Sequence, residues 1–119
     1  MIRGVKFVSI PVTDQEQGAA FYTEKLGFRV LTDQPFSDEQ RWIELGIPGA
    51  DTRLVLFRVD GGLAPGSQMN MALWTDDVEG TARELRRKAS RSHRIQSGAL
   101  GTFCTFKDPD GNSFVLGTR

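Results

Sequence analysis

Cysteine and histidine are almost absent from this chain of 119 residues, which contains one of each, Cys104 and His93. A single cysteine cannot form an internal disulfide, so we interpret Cys104 as a small buried residue and expect a reducing compartment. The longest apolar runs, such as 19–22, have four residues, whereas a membrane-spanning helix needs ~20. The N-terminus lacks an apolar signal-peptide region, which leads us to expect a cytoplasmic protein.

An excess of charge of either sign is also missing. Lys plus Arg and Asp plus Glu are both 15, so the formal net charge is zero. No overall field attracts nucleic acid or an anionic membrane, and neither is an expected partner. Residues 83–94 hold six Arg or Lys against one Glu, which we interpret as a solvated helix end, the alternative being a patch for an anionic partner.

The size of the chain favours a single domain over residues 1–119. At 13.2 kDa with 39% hydrophobic residues, it can build a core without disulfides or metals. Half of the residues in 60–67 are Gly or Pro, a composition that suits a linker. The sequence therefore predicts module one at about 5–59, a linker at about 60–67 and module two at about 68–118.

Hydrophobic periodicity predicts a β-α-β-β-β order in the first half. Residues 7–12 alternate apolar and other residues, the pattern of a half-buried strand. Thr13 and Glu16 have the spacing of a capping box, which predicts a helix from about Asp14 to Leu26, ended by a left-handed Gly27. Three further strands are predicted at 28–32, 40–47 and 52–59.

The second half repeats this order. A predicted strand at 70–74 precedes the same capping spacing at 76–79 and a helical stripe of apolar residues. Shifting residues 7–30 by 63 aligns Asp14 with Asp77 and Lys25 with Lys88, as expected of a duplicated unit. Strands follow at 92–96, 102–107 and 113–117, the last two joined by the turn Asp-Pro-Asp-Gly-Asn at 108–112.

Two such modules, with Phe-Tyr-Thr-Glu-Lys-Leu-Gly-Phe at 21–28 and Asp-Pro-Asp-Gly-Asn at 108–112, resemble the vicinal oxygen chelate superfamily. That group includes glyoxalase I, bleomycin-resistance proteins and extradiol dioxygenases. The resemblance implies an α+β fold in which two βαβββ modules form a cup from curved mixed sheets. It covers almost the whole chain.

In the metal-dependent members, the resemblance implies one His or Glu ligand from the first and the last strand of each module. Those positions fall here on Phe7, Val55, Asn70 and Val115, and only the asparagine has an oxygen to offer. We therefore predict no metal and no cofactor. The alternative is a metal-dependent glyoxalase, lyase or dioxygenase with a shifted register, or one with an unconventional site built from Glu44, His93 or Asp residues.

Strand alternation separates the residues under the helices from those facing the cup. The first set is Val8, Ile10, Val12, Leu54, Leu56, Met71, Leu73, Phe114 and Leu116. The predicted ligand-binding set is Phe7, Ser9, Trp42, Glu44, Arg53, Val55, Phe57, Asn70, Trp74 and Val115. Large apolar groups with a few polar ones are typical of a small-molecule pocket.

Within that set, Trp42 and Trp74 are expected to stack on a planar ligand, the alternative being packing or a dimer interface. Arg53 and Glu44 are expected either to orient the ligand or to pair with each other. Phe36 is either a lid or a loop anchor.

The predicted function is metal-free binding of a small aromatic or amphipathic molecule, for sequestration or resistance. The resistance-type branch implies a homodimer whose sites use both subunits. A metal-free enzyme with Glu44 as base is a further alternative, and no catalytic residue is assigned. The sequence leaves open whether modules pair within a chain or between chains.

Overall fold

The secondary structure repeats one order, β-α-β-β-β, in each half of the chain. The computed structural model describes residues 1–58, 66–68, 71–89, 95–98 and 101–118. The elements are β1 (Phe7–Val12), α1 (Gln15–Glu24), β2 (Arg29–Pro35), β3 (Arg41–Gly46), β4 (Arg53–Arg58), β5 (Met71–Trp74), α2 (Val78–Ala89), β6 (Ile95–Gly98), β7 (Gly101–Lys107) and β8 (Ser113–Gly117). Asn70, His93 and most of the predicted linker lie outside the described residues.

Each half forms one four-stranded mixed sheet. The strand orders are β1-β4-β3-β2 and β5-β8-β7-β6, so the two sheets have equivalent topologies. In each, the first strand pairs in parallel with the last, and the other pairs are antiparallel. The α+β fold with two βαβββ units is confirmed. Among the described residues, no helix is long and apolar enough to cross a membrane.

The caps of the two helices are aspartates at equivalent positions. Asp14 has an extended backbone, and its carboxylate accepts hydrogen bonds from the amides of Glu16 and Gln17 at 2.9 and 3.0 Å. Asp77 accepts from the amide of Gly80 at 3.0 Å. The capping box from Thr13 was therefore wrong by one residue: the cap is Asp14, whose extended backbone aims its carboxylate at these free amides.

The second strand is longer than predicted. It was expected to stop at residue 32 because 33–38 is rich in turn formers, yet β2 continues to Pro35. Pro35 pairs with Arg41 at the edge of the sheet, where proline's missing N–H costs no internal hydrogen bond. The carboxylate of Asp33 also binds the Arg41 guanidinium through both oxygens.

One hydrophobic cluster, built from described residues of both halves, joins the two modules. Tyr22 of α1 is fully buried, and its ring lies 6.0 Å from that of Phe114 in β8. The residues predicted to lie under the helices all belong to this cluster or pack against it. Cys104 is also buried there, as predicted.

A buried polar network joins the modules beside this cluster. Asp108, 4% exposed, accepts from the Tyr22 hydroxyl at 2.7 Å and from the side-chain amide of Asn112 at 2.8 Å. The same amide group donates to the Pro11 carbonyl at 2.9 Å. A Cβ atom on Gly66, which has φ +80°, would clash with the carbonyl oxygen of Asp110, so only glycine permits this close approach. The predicted turn at 108–112 therefore also holds the modules together.

Candidate ligand-binding site

One side of the first sheet collects most of the predicted site residues. We define the outer face as the side turned away from the shared core. Between β1 and β4, Phe7 is paired with Arg53 and Ser9 with Val55. Between β4 and β3, Val55 is paired with Glu44. Because alternate residues of a strand share a face, the outer face carries Phe7, Ser9, Trp42, Glu44, Arg53, Val55 and Phe57.

Three aromatic rings form a cluster on the outer face. The ring centroids of Phe7 and Trp42 are 5.6 Å apart with planes at 83°, the edge-to-face arrangement. The ring centroid of Phe36, a residue that is 68% exposed, lies 5.8 Å from that of Trp42. The loop before β3 therefore adds Phe36 to the surface around Trp42.

The only predicted carboxylate on this face is already bound by two side chains. Trp42 Nε1 donates to Glu44 Oε2 at 2.8 Å, and Arg53 Nη1 donates to Glu44 Oε1 at 3.0 Å. The pairing of Arg53 with Glu44, one of the two predicted roles, is present in the structure. The Trp42 hydrogen bond, followed by that of Arg53, holds the pKa of Glu44 below its usual range. Glu44 is consequently ionised near neutral pH and is a weak base.

This arrangement predicts a stability difference that depends on pH. The pKa of Glu44 is lowered in the folded state. The stability that its ionised carboxylate contributes is therefore fully present above the pKa of glutamate in the unfolded chain, about 4.3. That contribution is lost as pH falls through the pKa of Glu44 in the folded chain. We expect the difference in unfolding free energy between wild type and Glu44→Gln to shrink below about pH 4.3. Denaturant unfolding between neutral and acidic pH measures it, and a constant difference would contradict the assignment.

The remaining residues of the outer face differ in exposure. Val55 is only 1% exposed and contributes an apolar floor. Ser9 is exposed and Phe57 is half-buried. A ligand on this face therefore meets apolar and aromatic surface with one hydroxyl and one ion pair, a composition suited to small organic molecules.

Two predicted site residues lie on the second sheet. Val115 pairs with Ala72 and Trp74 with Gly117, on the side opposite Phe114. The contacts that join the modules run through the core-facing sides of both sheets, so one chain does not bring Trp74 and Val115 onto the outer face of the first sheet. A second chain would be needed to bring Trp74 and Val115 into one site with Trp42, and this stays a prediction.

The residues at the metal-ligand positions do not fit a divalent ion. Phe7, Val55 and Val115 carry no side-chain donor atom, and Asn70 lies outside the described residues. In the described part of the chain, no group of three or more His, Cys, Asp or Glu is placed to hold a metal. Such ions need several oxygen, nitrogen or sulfur ligands.

Sequence reasoning missed a cavity between the two modules. Its volume is about 600 Å³, and it is lined by Leu26 and Leu54 of the first module and by Leu73 and Leu85 of the second. Trp74 lines this cavity. Periodicity marks such residues only as core, because it does not indicate where two modules pack imperfectly.

Comparisons with known proteins agree with this architecture. The family model described as Glyoxalase/Bleomycin resistance protein/Dioxygenase superfamily matches residues 4–116. TnmS3, an antibiotic binding protein from Streptomyces sp. CB03234, is 36% identical with a TM-score of 0.85, over 99% of this chain and 98% of that chain. A superfamily member from Sphaerobacter thermophilus DSM 20745 is 29% identical with a TM-score of 0.82, over 97% and 96%.

A similar relative is also found among bacterial proteins compared by sequence. The uncharacterized protein YetH of Bacillus subtilis (strain 168) is 32% identical in an alignment of 123 positions, gaps included, that covers 98% of each chain. The match extends through both modules and brings no further function with it.

Proposed function

This chain belongs to the Glyoxalase/Bleomycin resistance protein/Dioxygenase superfamily, and from that premise we propose that it binds a small aromatic or amphipathic molecule without metal. The outer face of the first sheet is the site, and sequestration or resistance is the role. The observation that carries the proposal is the aromatic cluster around Trp42 beside the Glu44–Arg53 pair. The antibiotic-binding description of TnmS3 supports it.

The chemistry of the outer face favours a planar ligand. Edge-to-face packing against Phe7 fixes the Trp42 ring, and the Nε1 bond to Glu44 fixes it further. A ring held in one orientation loses little entropy when a ligand stacks on it. The Glu44–Arg53 pair adds polar atoms without net charge, so the face suits a ligand with a few hydrogen-bonding groups.

The same geometry disfavours a reaction at this site. Glu44, the predicted alternative base, has a lowered pKa, and each of its oxygens already accepts a hydrogen bond. The positions of the family's metal ligands hold Phe7, Val55 and Val115. We therefore propose binding without turnover, and we keep the metal-dependent and metal-free enzymes as the alternatives that the experiments below distinguish.

A homodimer is part of this proposal. Several large apolar side chains remain exposed in the single chain, among them Leu31, Phe36 and Trp74 at 48%, 68% and 58%. Exposed apolar surface of this kind often marks an interface. A second copy that covers these residues would bring Trp74 and Val115 of one chain towards Trp42 of the other, which joins the two predicted groups into one site.

A fluorescence titration tests the binding proposal. The chain has two tryptophans, so a Trp74→Phe variant leaves Trp42 as the sole reporter of the outer face. We expect proflavine, a planar tricyclic amine, to quench Trp42 saturably, with a Kd that EDTA leaves unchanged. The absence of saturable quenching by proflavine, or a requirement for added divalent metal, would contradict the proposal.

A further inference from the structure

The cavity between the modules is separate from the outer face and carries its own chemistry. We propose that it is a second ligand site, which takes an amphipathic organic anion: an apolar body between the modules and an acidic group at the rim. The cavity volume of about 600 Å³ lies in the range of roughly 300–1,000 Å³ that is typical of small-molecule pockets.

The walls of the cavity are mostly apolar and come from both modules. Leu26, Phe28 and Leu54 line it from the first module, and the loop 47–50 adds Ile47 and Pro48. The second module contributes Met71, Leu73, Trp74, Leu85, Phe106 and Leu116. Five of these side chains are at most 9% exposed, namely Phe28, Leu54, Leu85, Phe106 and Leu116. An apolar ligand body therefore gains hydrophobic energy chiefly by covering the more exposed Leu26, Met71 and Trp74.

Two lysines at equivalent positions of the modules provide positive charge at this cavity. Lys25 is the C-terminal cap of α1, and Lys88 lies in the last turn of α2. Both line the cavity. Among the residues that the structure describes, neither ammonium forms an ion pair. The duplication that aligns Lys25 with Lys88 in the sequence thus places a cation from each module at one site.

The acidic residue of the cavity offsets only part of this charge. Glu84 also lines it and feels the charge of Lys88, while its carboxylate accepts a hydrogen bond from Arg87 at 2.6 Å. The cavity therefore retains an excess of positive charge.

Two of the three threonines that line the cavity use their hydroxyl groups internally. Thr75 and Thr81 hydrogen-bond to each other through their hydroxyls at 3.0 Å. The polar requirement that remains is for an anion beside the two ammonium groups. A ligand with a carboxylate, sulfonate or similar acidic group meets that requirement.

A tryptophan lies beside each of the two sites. Trp74 lines the cavity, and Trp42 lies on the outer face of the first sheet. A Trp42→Phe variant therefore keeps the fluorophore that lines the cavity, whereas Trp74→Phe keeps the one on the outer face. Because the proposed dimer also brings Trp74 towards Trp42 of the other chain, binding in the cavity is identified by its dependence on Lys25 and Lys88. Failure of the proposed function changes proflavine binding, and failure of this inference changes the effect of the two lysines on an anionic ligand.

The probe is 8-anilinonaphthalene-1-sulfonate (ANS), with neutral N-phenyl-1-naphthylamine as its uncharged counterpart. In the Trp42→Phe background, we expect saturable quenching of Trp74 by both compounds. Lys25→Gln with Lys88→Gln should weaken ANS binding about fivefold at low salt and leave the neutral compound unchanged. The factor is modest because water screens exposed ion pairs and each one contributes little to binding.

The chain provides a matched control. Its remaining lysines are Lys6 and Lys107, neither of which lines the cavity, so their double change to Gln removes the same charge and should leave ANS affinity unaltered. Circular dichroism checks that each variant is folded. Equal ANS affinity in wild type and the Lys25/Lys88 variant, an equal loss in the control, or quenching of Trp42 alone would overturn the inference.

Discussion

Asp108→Ala is expected to lower the free energy of unfolding by about 3–5 kcal/mol. The Asp108 carboxylate is buried and accepts four hydrogen bonds: the Tyr22 hydroxyl, the Asn112 side-chain amide, and the backbone amides of Asp110 and Asn112. Alanine leaves these donors in the core without an acceptor, and each unsatisfied group costs free energy. The change also loosens the turn that contacts Pro11 of the first module.

Two further variants separate this network from general effects of mutation. Tyr22→Phe removes one donor and leaves the carboxylate with three, so we expect a smaller loss of about 1–2 kcal/mol. Burial, and then the charge of Asp108, raises the pKa of Tyr22 well above its ordinary value, so the phenol remains a donor. Asp38→Ala, an exposed site, should change stability by less than about 0.5 kcal/mol. Urea unfolding in which Asp108→Ala matches Asp38→Ala would contradict this account.

Trp42→Ala is expected to weaken proflavine binding by about 10- to 100-fold, as truncation of a central aromatic anchor does. The substitution removes the ring that contacts Phe7 and Phe36 and the Nε1 donor to Glu44. Trp42→Phe keeps an aromatic face without that donor and should fall between wild type and alanine. Isothermal titration calorimetry measures all three, and an unchanged Kd for Trp42→Ala would exclude the outer face as the site.

Trp74→Ala is the companion test for a site completed by a second chain. Its side chain is largely exposed in the single chain, so we expect the dimer to remain folded and proflavine to bind more weakly. An unaltered affinity for proflavine would remove Trp74 from the site on the outer face, and its position at the inter-module cavity would remain.

The fold was predictable where local patterns and global packing agree. Alternation in 7–12 defined β1 because its apolar residues are the ones that the core buries. Gly27 has φ 76°, the left-handed conformation predicted for the helix end. The continuation of β2 to Pro35 was missed because residues 33–38 are rich in turn formers, and propensity takes no account of the pairing of Pro35 with Arg41 across the hairpin.

Tertiary hydrogen bonds were beyond the same reasoning. Gln15 was not singled out, yet it is buried, donates to the carbonyls of Arg41 and Leu56 and accepts from the Arg41 amide. A glutamine at the start of a helix is ordinarily solvated, and nothing local indicates that β3 and β4 lie beside it. Asp108 was likewise interpreted only as a turn residue, although Tyr22 is its buried partner.

The candidate site was predictable in part for a similar reason. Alternation assigned the seven residues of the outer face because they lie on three adjoining strands of one sheet. It also selected Trp74 and Val115, which lie on another sheet. How two sheets meet depends on contacts between modules or chains, and periodicity within a strand contains no information about those contacts.

Metal-free binding by a dimer is tested most directly by a native mass spectrum of the protein purified without chelator or metal-affinity resin. We predict a species of two 13.2 kDa chains with no bound metal, which gains the mass of proflavine on titration. A divalent ion in stoichiometric amount would contradict the metal-free account and restore the metal-dependent enzyme. A monomer that binds no proflavine would contradict the shared site.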